Sequence, residues 1–117
     1  MLALHANWFY VAVGTTGVAG VWGLVLAIRK QPPNRAFMTA RSIAVVAMLV
    51  QVGLGLVMYG QGRRPDDAFH VFYGVVIAVT LAIVYVYRSA MARRPALAWG
   101  LLLLFVMGLG LRAWANV

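Results

Sequence analysis

The chain has 117 residues, of which 64% are hydrophobic, and it carries ten Lys or Arg against two Asp or Glu. A soluble domain averages about 45–50% apolar and about 25% charged residues, so this composition predicts a single-domain membrane protein. The absence of cysteine excludes disulfides, Cys-ligated zinc, iron–sulfur clusters and covalently attached c-type haem. The net charge of +8 does not indicate nucleic-acid binding, because the basic residues lie between apolar runs rather than along one face.

Four apolar runs are long enough to cross a membrane, since a spanning helix needs about 20 mostly apolar residues. They are predicted at residues 7–28, 40–59, 69–87 and 96–114. The connections are short, and the segments "RKQPPNR" and "ARRP" contain prolines that end a helix. Short connections favour antiparallel neighbours. The sequence therefore predicts an all-α integral membrane protein, an up-down-up-down four-helix bundle in which residues 1–117 form one domain.

The basic residues are distributed unevenly between the two ends of this bundle. Seven of the ten lie in or beside the first and third connections, and the other three are Arg63, Arg64 and Arg112. Because positive charge is retained in the cytoplasm, loops 29–41 and 88–95 are predicted to be cytoplasmic and both termini to face outward. The Arg-, Ala- and Val-rich composition favours a bacterial cytoplasmic membrane.

Small and polar residues within the spans allow two interpretations each. Span one carries four glycines, and span three carries Gly74 with two alanines at four-residue spacing. Small residues permit close helix packing, or they leave room for a flat cofactor. The four glycines of span one are Gly14, Gly17, Gly20 and Gly23.

Gln51 is the one amide deep in a span, and it is interpreted as an interhelical hydrogen-bond partner, with a direct functional role as the alternative.

The two histidines of the chain, His5 and His70, begin spans one and three. In the predicted bundle these spans are parallel and diagonal, so two imidazoles facing each other could ligate a haem iron from both sides. Arg63, Arg64 and Arg112 lie toward the same end and could bind haem propionates. Counting residues to the opposite loops gives the two histidines a depth difference of about 9 Å. The alternative is therefore that both are interfacial residues.

A mononuclear zinc or copper site is a weaker interpretation of the same pair. Two histidines without a carboxylate or thiolate within the spans make a poor site for either metal. The metal predicted for His5 and His70 is therefore haem iron alone.

The run "QVGLGLVMYGQGRRPDDAFHVFYGVVIAV" resembles the haem A synthase family. Four-helix halves of that family show a span with a Gln-x-x-x-Gly pattern, an outward loop, and a span that opens with His and a small residue four positions later. Gln51, Gly55, His70 and Gly74 match this pattern. The resemblance, over residues 5–88, implies that His70 and His5 ligate a b-type haem and that Gly55 and Gly74 serve close packing around it.

The chain departs from the family in ways that bear on activity. It contains one four-helix bundle where the family's enzyme has two. It has neither cysteine nor glutamate, whereas the family's site for oxidising the haem methyl group relies on an acidic residue in an extracellular loop, often with a cysteine pair. Synthase activity is therefore not carried over, and no nucleophilic constellation or phosphate-binding loop replaces it.

Two functions follow from these patterns. The first is a small haem-b-binding membrane protein resembling half a haem A synthase, for electron transfer or haem holding. The second is a non-catalytic accessory subunit of a larger, respiratory-type membrane complex without its own cofactor. Expected partners are the lipid bilayer, other membrane subunits or a second copy of the chain, and no nucleic acid.

Overall fold

A computed structural model of the protein describes residues 2–62 and 68–115. Over these residues the regular structure is helical. The four long helices are each apolar and long enough to cross a membrane, which confirms the predicted all-α bundle with four candidate spans. The helices are α1 (Leu2–Ile28), α2 (Arg35–Gly60), α3 (Ala68–Val86), α4 (Arg88–Met91) and α5 (Pro95–Ala115).

Helices α1 and α2 begin earlier than the hydropathy of the sequence predicted. Helix α1 starts at Leu2 instead of residue 7, and α2 starts at Arg35 instead of residue 40. Hydropathy identifies only the apolar segment that can cross lipid. The helix itself can be longer, because it continues for as long as its backbone is hydrogen-bonded and capped. Asn34 supplies that cap for α2, because its side-chain oxygen accepts a hydrogen bond from the backbone N–H of Phe37 at 2.8 Å.

The α1–α2 and α3–α5 connections, in or beside which seven of the ten basic residues lie, are tightly turned. Helix α1 ends at Ile28, and Lys30 just beyond it lies in the left-handed region, at a φ of 54°. The backbone N–H of Gln31 donates to the carbonyl of Leu26 at 2.9 Å, which closes the last turn of the helix. Between α3 and α5 the chain forms the short helix α4, which the sequence predicted only as part of a loop.

Helix α1 lies at the centre of the packing. It contacts α2 on one side and α5 on the other, α3 packs against α5, and α2 and α3 touch only sparsely. Helices α1 and α5 are antiparallel, since the ring of Phe9 near the start of α1 stacks on Trp114 near the end of α5, with centroids 5.6 Å apart. The described ends of the chain therefore share one end of the bundle, and the connections α1–α2 and α3–α5 share the other.

The core combines buried alanines with larger side chains, of which Phe37, Met48 and Leu103 are fully buried. Its largest cluster joins residues from all four long helices: Ala12, Met48, Ile77, Leu81 and Val106. Large aliphatic and aromatic side chains cover the outside of the same helices and are exposed. Such an apolar exterior is the pattern expected of a bundle surrounded by lipid. The protein is thus a multi-pass membrane protein by the length and composition of its helices.

The glycines of span one form a close seam with α5. A Cβ at Gly20 would lie 2.8 Å from the Leu104 side chain, and one at Gly23 would lie 2.9 Å from the Cα of Gly100. Gly14, six residues before Gly20, has nothing within 4 Å of such an atom. Tight helix packing, rather than room for a flat cofactor, is therefore the correct interpretation of Gly20 and Gly23.

Candidate functional site

The side chains of His5 and His70 meet across the bundle. Their ring centroids are 6.1 Å apart and their planes are inclined at 87°. The two histidines lie near the starts of α1 and α3, the diagonal pair of helices, whose backbones do not approach each other. The imidazoles therefore bridge a gap that the helices themselves leave open.

The depth difference of about 9 Å that residue counting gave for the two histidines does not separate their rings. Helix α1 continues from His5 to Ile28, whereas α3 continues from His70 only to Val86. Because the two rings meet, α1 extends further than α3 at the opposite end of the bundle. There the chain leaves α3, turns at Tyr87 and forms α4.

The orientation of His70 is fixed by the end of α5. Its Nδ1 lies 2.7 Å from the backbone carbonyl oxygen of Ala113. Ala113 is in the last turn of α5, where carbonyl groups lack an intrahelical donor. A carbonyl oxygen can only accept, so Nδ1 donates, and in the neutral imidazole Nε2 then carries the lone pair. Histidines that ligate metals are commonly held in this way, with the second ring nitrogen bonded to a carbonyl or carboxylate.

His5 packs against α2. A Cβ on Gly55 would lie 3.1 Å from the Cε1 atom of His5, so the ring rests on the glycine surface. Gln51 lies one turn before Gly55 on the same helix. A larger residue in place of Gly55 would press on the imidazole and change its position.

Two buried polar atoms near this contact lack a hydrogen-bond partner among the described residues. They are Nδ1 of His5 and Oε1 of Gln51. The interpretation of Gln51 as an interhelical hydrogen-bond partner is therefore wrong for its carbonyl oxygen, because no donor of the described neighbouring helices reaches it. Buried polar atoms are satisfied in the great majority of cases, so these two atoms are places where a water or a ligand can bind.

The space beside His70 is open. Gly74 follows His70 by one turn, on the face of α3 that also carries the buried residues Ile77 and Leu81. A Cβ on Gly74 would meet nothing within 4 Å, so the close packing expected there is not found. Helices α2 and α3 also touch only sparsely, so few contacts between the described residues close this side of the bundle.

Of the three arginines predicted to bind haem propionates, only Arg112 lies within the described residues. Arg112 lies next to Ala113, and its guanidinium contacts the hydroxyl of Tyr73 at 3.5 Å. Tyr73 follows His70 by three residues, so Arg112 lies at the histidine end of the bundle. Arg63 and Arg64 lie outside the described residues.

The residues of this site do not form a self-sufficient metal centre. Among residues 2–62 and 68–115, no group of three or more His, Cys, Asp or Glu could hold a metal ion. A metal bound between His5 and His70 would therefore have two described protein ligands.

Comparison of the chain with protein-family models, with curated proteins and with solved structures gives no match. What the site can do is therefore argued from its own residues.

Proposed function

We propose that the protein is a small integral membrane protein that binds haem b between His5 and His70, for electron transfer or haem holding. The observation that supports this proposal is the 6.1 Å separation of the two ring centroids across the bundle. With metal–imidazole bonds of about 2.0–2.1 Å and about 1.1 Å from nitrogen to centroid, rings on opposite sides of one metal ion lie roughly 6.3 Å apart. The observed ring separation is therefore compatible with one metal ion held between the two imidazoles.

The number of protein ligands favours haem over a bare metal ion. Zinc in proteins is held by three or four protein ligands, which the described residues do not offer. A porphyrin supplies four nitrogen ligands of its own, so its iron needs only two axial ligands from the protein. When bound, the haem supplies one-electron redox chemistry, and its potential depends on the axial ligands and their hydrogen bonds.

The residues around the pair have roles consistent with such a group. The Ala113 carbonyl orients His70 with Nε2 available as a ligand. Gly74 has no side chain and a Cβ there would meet no described atom within 4 Å, which favours a flat ring system beside His70. Arg112, at the same end, provides a cation of the type that binds propionates.

The charge distribution supports an orientation in the membrane. We place loops 29–41 and 88–95, with seven of the ten basic residues, in the cytoplasm of a bacterium. Both termini and the histidine site then lie toward the outer face of the cytoplasmic membrane. An electron-transfer partner would approach from that side or within the bilayer.

Absorption spectroscopy tests the proposal directly. The protein, expressed with ample haem and purified in detergent, is expected to show a sharp b-type α-band on reduction with dithionite. His5→Ala and His70→Ala should each lose most of this band, because each removes one of two axial ligands. The matched controls are Leu4→Ala and Phe72→Ala, whose side chains are 51% and 56% exposed on the outer surface and should leave the band intact.

A wild-type protein without the band, or a band that survives in both histidine variants, would reject haem ligation by this pair. A colourless protein would return attention to the accessory-subunit function. Co-purification of partner subunits from the native membrane would then be the informative measurement.

A further inference from the structure

The end of the bundle opposite the histidines contains a cleft that the proposed haem function does not use. Its volume is about 380 Å³, and Arg41, Arg88 and Trp99 line it together with Pro33 and Pro95. It lies where the α1–α2 connection and the start of α2 meet α4 and the start of α5. Ligand pockets usually measure about 300–1,000 Å³, so the cleft is large enough for a small polar group.

The two arginines of the cleft are held by aromatic rings. The guanidinium of Arg41 lies 4.6 Å from the ring centroid of Trp99, and that of Arg88 lies 4.3 Å from the ring centroid of Tyr85. Arg88 also donates to the backbone carbonyl of Tyr85. Stacking on a ring orients a guanidinium while leaving its positive charge uncompensated.

Among the described residues, no carboxylate side chain neutralises this end of the bundle. The chain has two acidic side chains, Asp66 and Asp67, which belong by sequence to the connection between α2 and α3. The described residues therefore contain no carboxylate side chain, and the cleft arginines have no acidic partner among them. The cations at this end are Arg29, Lys30, Arg35, Arg41, Arg88, Arg93 and Arg94.

We propose that this cleft binds the headgroup of an anionic phospholipid, with its phosphate between Arg41 and Arg88. The cleft lies at the ends of helices that can cross a membrane, so the nearest anions are those of the lipid surface. Guanidinium groups form strong, charge-assisted hydrogen bonds to phosphate oxygens. The indole of Trp99 is of the type that settles at headgroup level, and the exposed apolar surfaces of the helices accept the acyl chains. This inference does not depend on haem.

Native mass spectrometry of the protein in a neutral detergent tests the proposal, with dioleoyl phosphatidylglycerol and dioleoyl phosphatidylcholine as the probes. We expect the wild type to retain phosphatidylglycerol selectively. Arg41→Gln/Arg88→Gln should weaken this binding by roughly tenfold or more, because both phosphate ligands are removed. The matched control, Arg29→Gln/Arg93→Gln, removes the same charge from the same end outside the cleft and should weaken binding by no more than about threefold.

Three results would overturn the proposal. Equal losses in the two double variants would mean that diffuse surface charge holds the lipid. Equal retention of phosphatidylcholine would mean that the headgroup charge is not recognised. Inorganic phosphate that displaces phosphatidylglycerol at equal concentration would identify a site for free anions instead of lipid. Circular dichroism verifies folding, and if the cleft double variant is unfolded, Arg88→Gln is compared with Arg93→Gln by the same criteria.

Discussion

The indole N–H of Trp8 donates to the backbone carbonyl of Ala47 at 2.7 Å, across the interface of α1 and α2. The buried hydroxyl of Thr16 likewise donates to a carbonyl of the preceding turn, at 2.8 Å. Against these satisfied groups, Nδ1 of His5 and the side-chain oxygen of Gln51 stand out as buried atoms without a partner in the described residues. In an apolar interior such atoms carry a desolvation cost that nothing in the described bundle offsets.

Replacing Gln51 by methionine tests the cost of this oxygen. Methionine has a similar length and no strong acceptor, so Gln51→Met removes a buried, unpaired group. We expect the haem-free protein to gain about 1 kcal/mol in its free energy of unfolding, because leaving such a group unsatisfied costs about 1–3 kcal/mol. Reversible unfolding in mixed detergent micelles measures this change.

The control for Gln51→Met is Gln61→Met, at the exposed C-cap of α2, which should change the free energy of unfolding by less than about 0.5 kcal/mol. A marked loss of stability in Gln51→Met would mean that the amide has a stabilising partner after all.

At the scale of helices, α1 and α5 approach through glycine. Gly23 and Gly100 face each other so closely that a Cβ on Gly23 would lie 2.8 Å from the Ala96 carbonyl oxygen, and one on Gly100 would lie 2.9 Å from the Leu24 nitrogen. Both contacts are with backbone atoms, which cannot rotate away as the end of a side chain can. The separation of α1 and α5 is therefore set by the absence of side chains on both helices.

We expect Gly23→Ala to lower the free energy of unfolding by about 1–3 kcal/mol, because the helices must separate to admit the methyl group. Gly14→Ala is the matched control on the same helix, since a Cβ at Gly14 meets nothing within 4 Å. That variant should be neutral or stabilising by up to about 1 kcal/mol, as alanine is the better helix former. Equal effects of the two variants would contradict a packed seam. Thermal unfolding in detergent compares the two variants under one set of conditions.

At the scale of the whole molecule, the two ends of the bundle differ in chemistry. One end contains the histidine pair and the described ends of the chain, and the other contains the cleft and seven basic residues. The antiparallel packing fixes which groups share an end, independently of the direction in which the bundle is inserted. The positive-inside rule then gives that direction.

Reporter fusions test the orientation. Alkaline phosphatase, which is active only after export, should be active when fused behind residue 117 and inactive when fused behind residue 33. A green fluorescent protein at the same two positions should give the opposite pattern. Export of the residue 33 fusion together with retention of the residue 117 fusion would reverse the assignment of the two ends. Such a result would place the histidine site on the cytoplasmic side.

The sequence by itself determined the four apolar segments, the uneven charge and the placement of both histidines at the starts of segments one and three. These are local properties, because hydropathy, loop charge and order along the chain are set before any two helices touch. Residue counting also gave a depth for each histidine along its own helix. It did not give the tilt or rotation of the helices, which depend on their neighbours.

Only the tertiary structure decided what surrounds the histidines. The meeting of His5 and His70 and the acceptor at Ala113 join residues distant in sequence, and the burial of the unpaired Gln51 oxygen also depends on neighbouring helices. The open face at Gly74 also depends on how loosely α3 packs against α2. The physical reason is that packing in lipid follows small-residue seams, above all the one between α1 and α5, and these seams fix which faces turn inward.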